Sequence, residues 1–514
     1  MKRLLFATLL AAATLSADEL TLHDAVRMAL GRNPDVVVER EGVNIADATV
    51  LRAEAAYEPS LRGEARLREH TDPVNSILSG APAGELGPTT RNFLTSASFV
   101  QLLPTGGTVS VFSGLQRDNT NSILSILTPS WSTQFGAEVR QPLLQNRRID
   151  PARRAIRLAQ VDRTRARSSL ERMVSELTAA VEKSYWTAAS ARREVEIRQN
   201  AVDVAEKQRA DTRVRIEAGT QAEADLASTV AELERRRGEL TIARENSARA
   251  DNTLRGLIGQ WEGELVLSSS LEGRALSPAE GDGLKPASPQ DAVRTAFQHR
   301  PELRELQSRV VRQDVEIDAA LDRVRPQVDL VASYSGRGLA GTRNDDAIEP
   351  FGPIVVADEI SGGLGRSLRS LDEFPDASLG VSFVIPIGNT AAKQDVAIAR
   401  AVRRQAEASV NALRQRIAVE VRNALAALTS AEQRIASATA MREAAEVQLQ
   451  AERDRFEAGT TNMFFIITRQ NELASAELTE SIARIDARRA ETELARAMGT
   501  LLEQRSISID GGQQ

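Results

Sequence analysis

An internal duplication organises this sequence and restricts its fold to one built from two similar units. The markers near the start of each unit are 267 positions apart: residues 24–27 match 291–294, Pro34 matches Pro301 and Pro59 matches Pro326. The markers near the end of each unit are 240 positions apart: residues 216–220 match 456–460 and Gly259 matches Gly499. The first unit therefore holds 27 extra residues between its matched parts (267 − 240).

The boundaries of the two units follow from these matches. Residues 1–17 carry Lys2 and Arg3, a short apolar stretch and small residues before Asp18, which is typical of a cleaved secretory signal. We predict a first repeat at 18–286 and a second at 287–514, joined by a Pro-, Gly- and Ser-rich linker at 276–289. Beyond the signal no run of 18 apolar residues exists, so the mature chain either is soluble or crosses a membrane with β-strands.

Composition excludes several classes of function. The chain has no cysteine, and its three histidines are far apart, so we expect no disulfide, no metal site and no cysteine nucleophile. The 65 basic and 71 acidic residues nearly balance, which argues against nucleic acid as a partner. No segment resembles a phosphate-binding loop, a catalytic triad or a zinc motif. We therefore predict that the protein is not an enzyme and needs no cofactor.

Both units are predicted to have the same order of elements. A proline-interrupted helix at 22–56 or 290–324 precedes β-strands within 58–141 or 326–387. A long helix at 152–217 or 393–457, a glycine turn and a helix at 221–257 or 462–498 follow. The 66 residues of 152–217 would extend about 100 Å, more than a compact globule needs.

Each long helix carries a heptad pattern in which apolar or small residues alternate at steps of three and four, as in coiled coils. The first seam is Ala166, Leu170, Met173, Leu177, Val181, Ser184, Ala188, Ala191 and Val195. The second is Ala406, Val410, Leu413, Ile417, Val421, Ala424, Leu428, Ala431 and Ile435. An ordinary extended coiled coil, such as a periplasmic adaptor arm, would show the same pattern, and the strands argue against it.

The predicted strands alternate apolar and polar residues, as in Leu61–Arg68, Thr133–Arg140, Gln327–Tyr334 and Ser378–Ile385. This pattern fits a membrane barrel with a wet lumen, and also a sheet with one face in water. The first unit has two additional strands, about 93–103 and 107–116, joined by a turn at 104–107, and we expect long loops at 71–90, 117–130 and 338–375. Four or six strands cannot close a barrel alone, so the chain must oligomerise.

Several segments resemble TolC-like outer membrane efflux proteins. Residues 215–220 and 455–460 resemble the turn between the long helices of that family. Residues 141–144 and 385–388 resemble its strand-to-helix corners, and 22–34 resembles its opening helix. The resemblance covers nearly the whole mature chain.

The resemblance implies an α+β membrane protein: a homotrimer with a twelve-stranded β-barrel in the outer membrane, continued by a periplasmic α-helical coiled-coil tunnel. Its partners would be outer-membrane lipid, a periplasmic adaptor and an inner-membrane pump of the RND or ABC type, and its channel would passively conduct exported substrates. Six strands per protomer would make eighteen if all entered the membrane. We favour twelve, with the extra hairpin elsewhere.

The resemblance also places candidate functional residues. Gly219 and Thr220 in the first repeat, and Gly459 and Thr460 in the second, would form periplasmic tips that dock the adaptor. Relatives carry acidic residues six and nine positions after the second glycine, where this chain has Phe465 and Thr468. The candidate constriction is therefore Asp225, Phe464, Phe465 and Thr468, with packing between helices as the alternative. A periplasmic adaptor or a structural envelope protein is the alternative function.

Overall fold

The structure is a computed structural model that describes residues 20–74, 76–219, 222–262, 266–267, 288–348, 353 and 355–508. The predicted signal, Thr220 and most of the linker at 276–289 lie outside the described residues. The chain divides into two compact units. One comprises residues 1–44, 164–307 and 408–514, and the other comprises residues 45–163 and 308–407.

The helices and strands follow the order that the sequence predicts. The helices before the linker are α1 (Leu22–Arg32), α2 (Pro34–Glu54), α3 (Pro151–Glu217) and α4 (Glu223–Ile258). Those after it are α5 (Pro289–His299), α6 (Pro301–Arg323), α7 (Leu364–Arg369), α8 (Thr390–Glu457), α9 (Met463–Met498) and α10 (Leu501–Gln504). No helix among the described residues combines the length and apolar character that a membrane crossing requires.

Two helix starts use the same capping arrangement. The hydroxyl of Thr21 accepts a hydrogen bond from the backbone N–H of Asp24 at 3.1 Å, and that of Ser288 accepts one from Asp291 at 3.2 Å. Each bond satisfies a backbone donor that the first helical turn leaves unpaired. α1 and α5 then end before Pro34 and Pro301, because a proline inside a helix removes a hydrogen bond and clashes with the preceding turn.

The breaks before these prolines contact the ends of the returning helices. Asn33 Nδ2 donates to the carbonyl of Leu257 at 3.4 Å, and Arg300 Nη1 donates to that of Ala497 at 3.3 Å. Both α4 and α9 end at a glycine with positive φ, Gly259 at +66° and Gly499 at +74°. A side chain at Gly499 would also lie 2.9 Å from the carbonyl carbon of His299, so the close packing excludes one.

The predicted seams of the long helices form the core. Every seam residue is buried or half-buried, and Val181, Ile417 and Val421 are fully buried. In α3 the seam packs with Tyr185, Leu254 and residues of α1 in one apolar cluster. Because each fully buried leucine or valine contributes about 1.5–3 kcal/mol, these seams supply much of the driving force for helix packing.

The six strands form one antiparallel sheet in the order β1-β2-β3-β4-β5-β6. They are β1 (Ser60–Thr71), β2 (Thr89–Leu102), β3 (Thr108–Thr120), β4 (Leu127–Pro142), β5 (Gln327–Arg343) and β6 (Phe374–Val384). The extra hairpin is β2–β3, and it lies between β1 and β4, so the expectation that it lies elsewhere is wrong.

Two of the predicted long loops are also shorter than expected. β3 continues to Thr120 and β4 begins at Leu127, so the loop predicted at 117–130 is mostly strand. β5 continues to Arg343, and α7 falls within the predicted loop at 338–375. α7 packs across β4 and β5, where Thr133 Oγ1 donates to the carbonyl of Ser367 at 2.9 Å. Polar residues in these strand ends indicate loops when the sequence is read alone, whereas pairing with neighbouring strands makes them part of the sheet.

Candidate functional site

The first candidate tip is the end of α3. Gly219 has φ +72°, and its N–H donates to the carbonyl of Ile216 at 2.9 Å, which closes the helix. α4 begins three residues beyond Thr220, with Ala222 as its cap. A side chain built on Gly219 would meet no atom of the described residues within 4 Å, so its left-handed backbone conformation, rather than crowding, favours glycine here.

The second candidate tip is more extensively hydrogen-bonded. Gly459 has φ +70° and likewise has open space around it. The backbone N–H and the hydroxyl of Thr460 both donate to the carbonyl of Arg455, each at 3.0 Å. Thr461 Oγ1 donates to Glu452 Oε1 at 2.5 Å. The turn is therefore rigidly held while its glycine stays accessible.

The structure brings the two tips together. The guanidinium of Arg215 lies over the ring of Phe456, 4.9 Å from its centroid, so a residue that precedes one tip stacks on a residue that precedes the other. Gln208 of α3 also contacts the sulfur of Met463 at the start of α9. Both tips lie in the same compact unit, so they form one surface.

The candidate constriction residues are only partly brought together. Phe464 and Phe465 contact each other edge to face at 5.7 Å between centroids, and 69% and 47% of their surfaces are exposed. Thr468 Oγ1 donates back to the carbonyl of Phe464 at 2.9 Å. Asp225 lies separately in the first turn of α4, where its N–H donates to Ala222 at 3.1 Å. An exposed pair of phenylalanine rings beside an open turn is apolar surface that the described chain does not cover.

A groove behind the tips was missed by sequence reasoning. It lies between α3, α4, α8 and α9, and apolar side chains make up half of its lining. The charged and amide side chains in the lining are Asn200, Gln208, Glu232, Arg236, Arg453, Gln470, Asn471 and Glu477. Arg236 is 7% exposed, and its Nε donates to Glu232 Oε1 at 2.8 Å. Burial opposes ionisation of Glu232, yet hydrogen bonds from Arg235 and Arg236 lower its pKa.

The second long-helix pair has a comparable ionic cluster. Glu480 accepts from Arg442 Nε at 2.7 Å, from Thr439 Oγ1 at 2.9 Å and from Arg484 Nη2 at 2.7 Å. Desolvation raises the pKa of Glu480, but the bonds from Arg484 and Thr439 outweigh it and lower that pKa. The sequence contains a signal for this cluster, because charged residues interrupt the apolar heptads of the second repeat. Arg442 and Glu480 lie 240 positions after Val202 and Leu240, which are buried apolar residues of the first repeat.

No chemistry-bearing cluster accompanies these features in the part of the chain that the structure describes. There, no group of three or more histidine, cysteine, aspartate or glutamate side chains could hold a metal ion. In the ionic clusters the carboxylates of Glu232 and Glu480 are paired with guanidinium groups, which neutralise them.

Comparisons with known proteins show which proteins this arrangement is similar to. Residues 292–500 match the family model for outer membrane efflux proteins. A search of curated proteins found no match. Among solved structures, CusC is 16% identical over 93% of this chain and 92% of its own, with a TM-score of 0.64.

Two further outer membrane proteins share the fold. VceC of Vibrio cholerae is 14% identical over 93% of this chain and 96% of its own, with a TM-score of 0.62. MtrE of Neisseria gonorrhoeae is an outer membrane channel whose open state has been solved. It is 16% identical over 93% of this chain and 89% of its own, with a TM-score of 0.60. The predicted resemblance to TolC-like outer membrane efflux proteins is thereby confirmed.

Proposed function

We propose that this chain, whose residues 292–500 match the outer membrane efflux protein family, is the outer-membrane channel of a tripartite efflux or type I secretion system. It is a passive conduit for substrates that an inner-membrane pump of the RND or ABC type delivers through a periplasmic adaptor. One observation carries the proposal. A sheet with one apolar face and two unpaired edges accompanies helices of 67 and 68 residues in a single chain.

The sheet has the dimensions and polarity of a membrane wall. Its strands contain 11 to 17 residues, and about 9–11 residues suffice for a tilted strand to cross a bilayer. Leu61, Phe135 and Leu379 lie on the apolar face and are 78%, 56% and 78% exposed, which suits contact with lipid. The same face carries Trp131, with Arg117 5.2 Å from its ring centroid, as expected for an aromatic residue at a membrane interface.

The edges of the sheet support a homotrimer. Among the described residues, β1 and β6 each pair on one side only. An open edge leaves backbone groups unpaired, which the hydrocarbon region does not tolerate. Long helix α8 also exposes large apolar side chains: Ile398, Val402, Val419 and Val447. Copies of the chain that join edge to edge would cover both features, and three copies is the number that the family implies.

The repeats at 18–286 and 287–514 remain our interpretation of the chain's organisation. Matched contacts support it, since Thr21 and Ser288 cap their helices alike and Asn33 and Arg300 both bond to the end of a returning helix. Two such units per protomer would contribute six units to a closed helical tunnel in the periplasm.

The paired tips are the proposed docking surface for the adaptor. Open space at Gly219 and Gly459 and the stacking of Arg215 on Phe456 support this assignment, because the described residues hold the two tips side by side and leave both glycines uncovered. Phe464 and Phe465 form the proposed apolar constriction, with Thr468 on the same helix and Asp225 on the neighbouring tip helix. Such a ring would restrict ions by excluding water. The channel itself needs no catalytic group, because the pump supplies the energy.

Membrane fractionation with native gel analysis tests the function directly. The full chain should sediment with outer membranes, require detergent for extraction and migrate as a heat-sensitive trimer. A monomer that remains in water without detergent would contradict both the membrane location and the channel. Copurification of an adaptor after crosslinking through cysteines placed at the tips would identify the system in which the channel works.

A further inference from the structure

The β2–β3 hairpin is a full-length part of the sheet. β2 pairs with β1 from Ser60 opposite Val100 to Thr71 opposite Thr89. β3 pairs with β4 from Thr108 opposite Arg140 to Asp118 opposite Ser130. The hairpin therefore separates β1 from β4 along their length, and these two strands do not pair with each other.

Both ends of the hairpin are anchored. At its turn, Thr105 Oγ1 donates to Gln141 Oε1 at 2.8 Å, and Gln141 Nε2 donates to the carbonyl of Thr105 at 3.2 Å. The turn also lies close to the loop before α3, since a side chain at Gly106 would be 2.4 Å from the carbonyl oxygen of Asn146. At the open end, the N–H of Asn121 donates to the carbonyl of Thr89 at 3.2 Å. The hairpin is thus fixed in the sheet at each end.

The apolar face extends across the hairpin, where it also holds Thr95 and Ser113, and α7 covers part of it at Thr133 on β4. One row of directly paired residues crosses all six strands on this face: Leu61, Phe99, Val111, Ala137, Tyr334 and Ala377. Rows on the other face are mostly polar, as in Glu64, Ser96, Gly114, Gln134, Arg337 and Phe374, in which the last residue alone is a large apolar one. If the hairpin lay in water outside the membrane, nothing would favour an apolar residue such as Phe99 in register with the lipid-facing residues of the neighbouring strands.

The two edges are complementary to each other. The sheet has an even number of antiparallel strands, so β1 and β6 run in opposite directions. β1 has 12 residues and β6 has 11, and every residue of β6 is exposed. The β1 edge of one copy can therefore pair antiparallel with the β6 edge of the next, in the same sense as every other pair in the sheet.

We propose that three copies close one eighteen-stranded barrel, with the β2–β3 hairpin as a membrane-spanning part of its wall. This inference rests on the proposed trimeric channel and assigns β1 and β6 as the seam between copies. Barrel diameter grows roughly linearly with strand number, so the pore would be about 1.5 times as wide as a twelve-stranded one. Barrels of 16–18 strands leave an aqueous channel, and the polar rows would line it.

Single-cysteine labelling tests the inference, and the chain has no native cysteine to interfere. Phe99→Cys and Val111→Cys place a bimane fluorophore on the apolar face of the hairpin, and Ser98→Cys and Ser110→Cys place it on the polar face. Ala65→Cys in β1 and Ala137→Cys in β4 are matched controls on the apolar face. Trimers are reconstituted in vesicles whose phosphatidylcholine carries brominated acyl chains, which quench fluorophores in contact with lipid.

The expected result is equal quenching at positions 99, 111, 65 and 137, with little quenching at 98 and 110. Quenching at 65 and 137 but not at 99 and 111 would overturn the eighteen-stranded barrel and leave the channel intact. Absence of quenching at all four apolar positions would overturn the channel as well. Electron cryomicroscopy of the intact chain in nanodiscs gives an independent count, for which eighteen strands supports the inference and twelve contradicts it.

Discussion

Arg505 holds the fully buried carboxylate of Glu182 with two hydrogen bonds, Nε to Oε1 at 2.7 Å and Nη2 to Oε2 at 3.0 Å. Thr492 Oγ1 adds a third bond to Oε2 at 2.7 Å. The bonds to Glu182 raise the pKa of Arg505, and they join the end of the chain to α3 and α9. A buried carboxylate is stable only when such donors compensate for its lost hydration.

Arg505→Ala should therefore destabilise the protein by about 2 kcal/mol, less than for a wholly buried pair because Arg505 is partly exposed to water. The loss should appear as a lower midpoint of denaturant unfolding, followed by circular dichroism in detergent. Replacing both partners, as Arg505→Met with Glu182→Leu, should recover most of this loss because no charge is left buried. A double variant less stable than the single one would contradict this explanation.

Glu480 predicts a pH dependence of stability. Its pKa is lowered in the folded chain, so its contribution is fully present above its unfolded pKa of about 4.3 and is lost as pH falls through the folded value. Below about pH 4.3, the denaturant midpoint of unfolding should therefore decrease more steeply for the native sequence than for the double variant Arg442→Val with Glu480→Leu. That variant copies the buried Val202 and Leu240 of the other long-helix pair.

Equal pH profiles for the two proteins would show that Glu480 does not act through its ionised form. A matched control is Arg434→Val with Asp486→Leu, since this pair is joined at 3.4 Å on the exposed part of the same helices. Its removal should leave the profile unchanged, because exposed pairs contribute little.

Much of the helical architecture was predictable from local signals. The long helix predicted at 152–217 runs from Pro151 to Glu217, and the one predicted at 393–457 runs from Thr390 to Glu457. Such helices are determined by signals in their own sequence, namely heptad spacing, a proline at the start and a glycine at the end. The prolines at 34 and 301 likewise indicated the breaks that the structure has.

Strand order and the ionic groove were harder to predict, because they depend on contacts between distant segments. The alternation of Phe93–Leu103 was visible, but nothing local shows that β2 pairs with β1 rather than lying elsewhere. Similarly, Gln208 of α3 and Asn471 of α9 line the same groove although they are far apart in the sequence, so they come together only after these helices pack. The ends of β3 and β5 contain Asn, Asp, Gly and Arg, which favour loops when read alone.

The tips yield a prediction about adaptor docking. Gly459→Val should abolish crosslinking to the adaptor in cells, because a β-branched residue disfavours φ +70° and would reshape the turn. Gly459→Asn should retain most crosslinking, since asparagine tolerates the left-handed conformation. Gly219→Val should behave like Gly459→Val.

Gly238→Val is the control for these substitutions. Gly238 lies within α4, where an added side chain meets nothing within 4 Å, so the variant adds the same bulk away from the tips. Its crosslinking should equal that of the unmodified chain. Undiminished crosslinking in both tip variants would remove the turns from the docking surface, and loss in Gly238→Val would indicate a general folding defect.

Phe464 and Phe465 predict a change in conductance. We expect the exposed phenyl groups of the three copies to form the narrowest apolar constriction of the channel. Phe465→Ala should then raise the single-channel conductance in planar bilayers at least twofold, because a wider and wetter passage lowers the barrier for ions. Ile482→Ala is a control on the same helix, since Ile482 is 43% exposed but far from the tip in sequence. Its conductance should not change. Equal conductance in the native channel and Phe465→Ala would leave packing between the tip helices as the role of both rings.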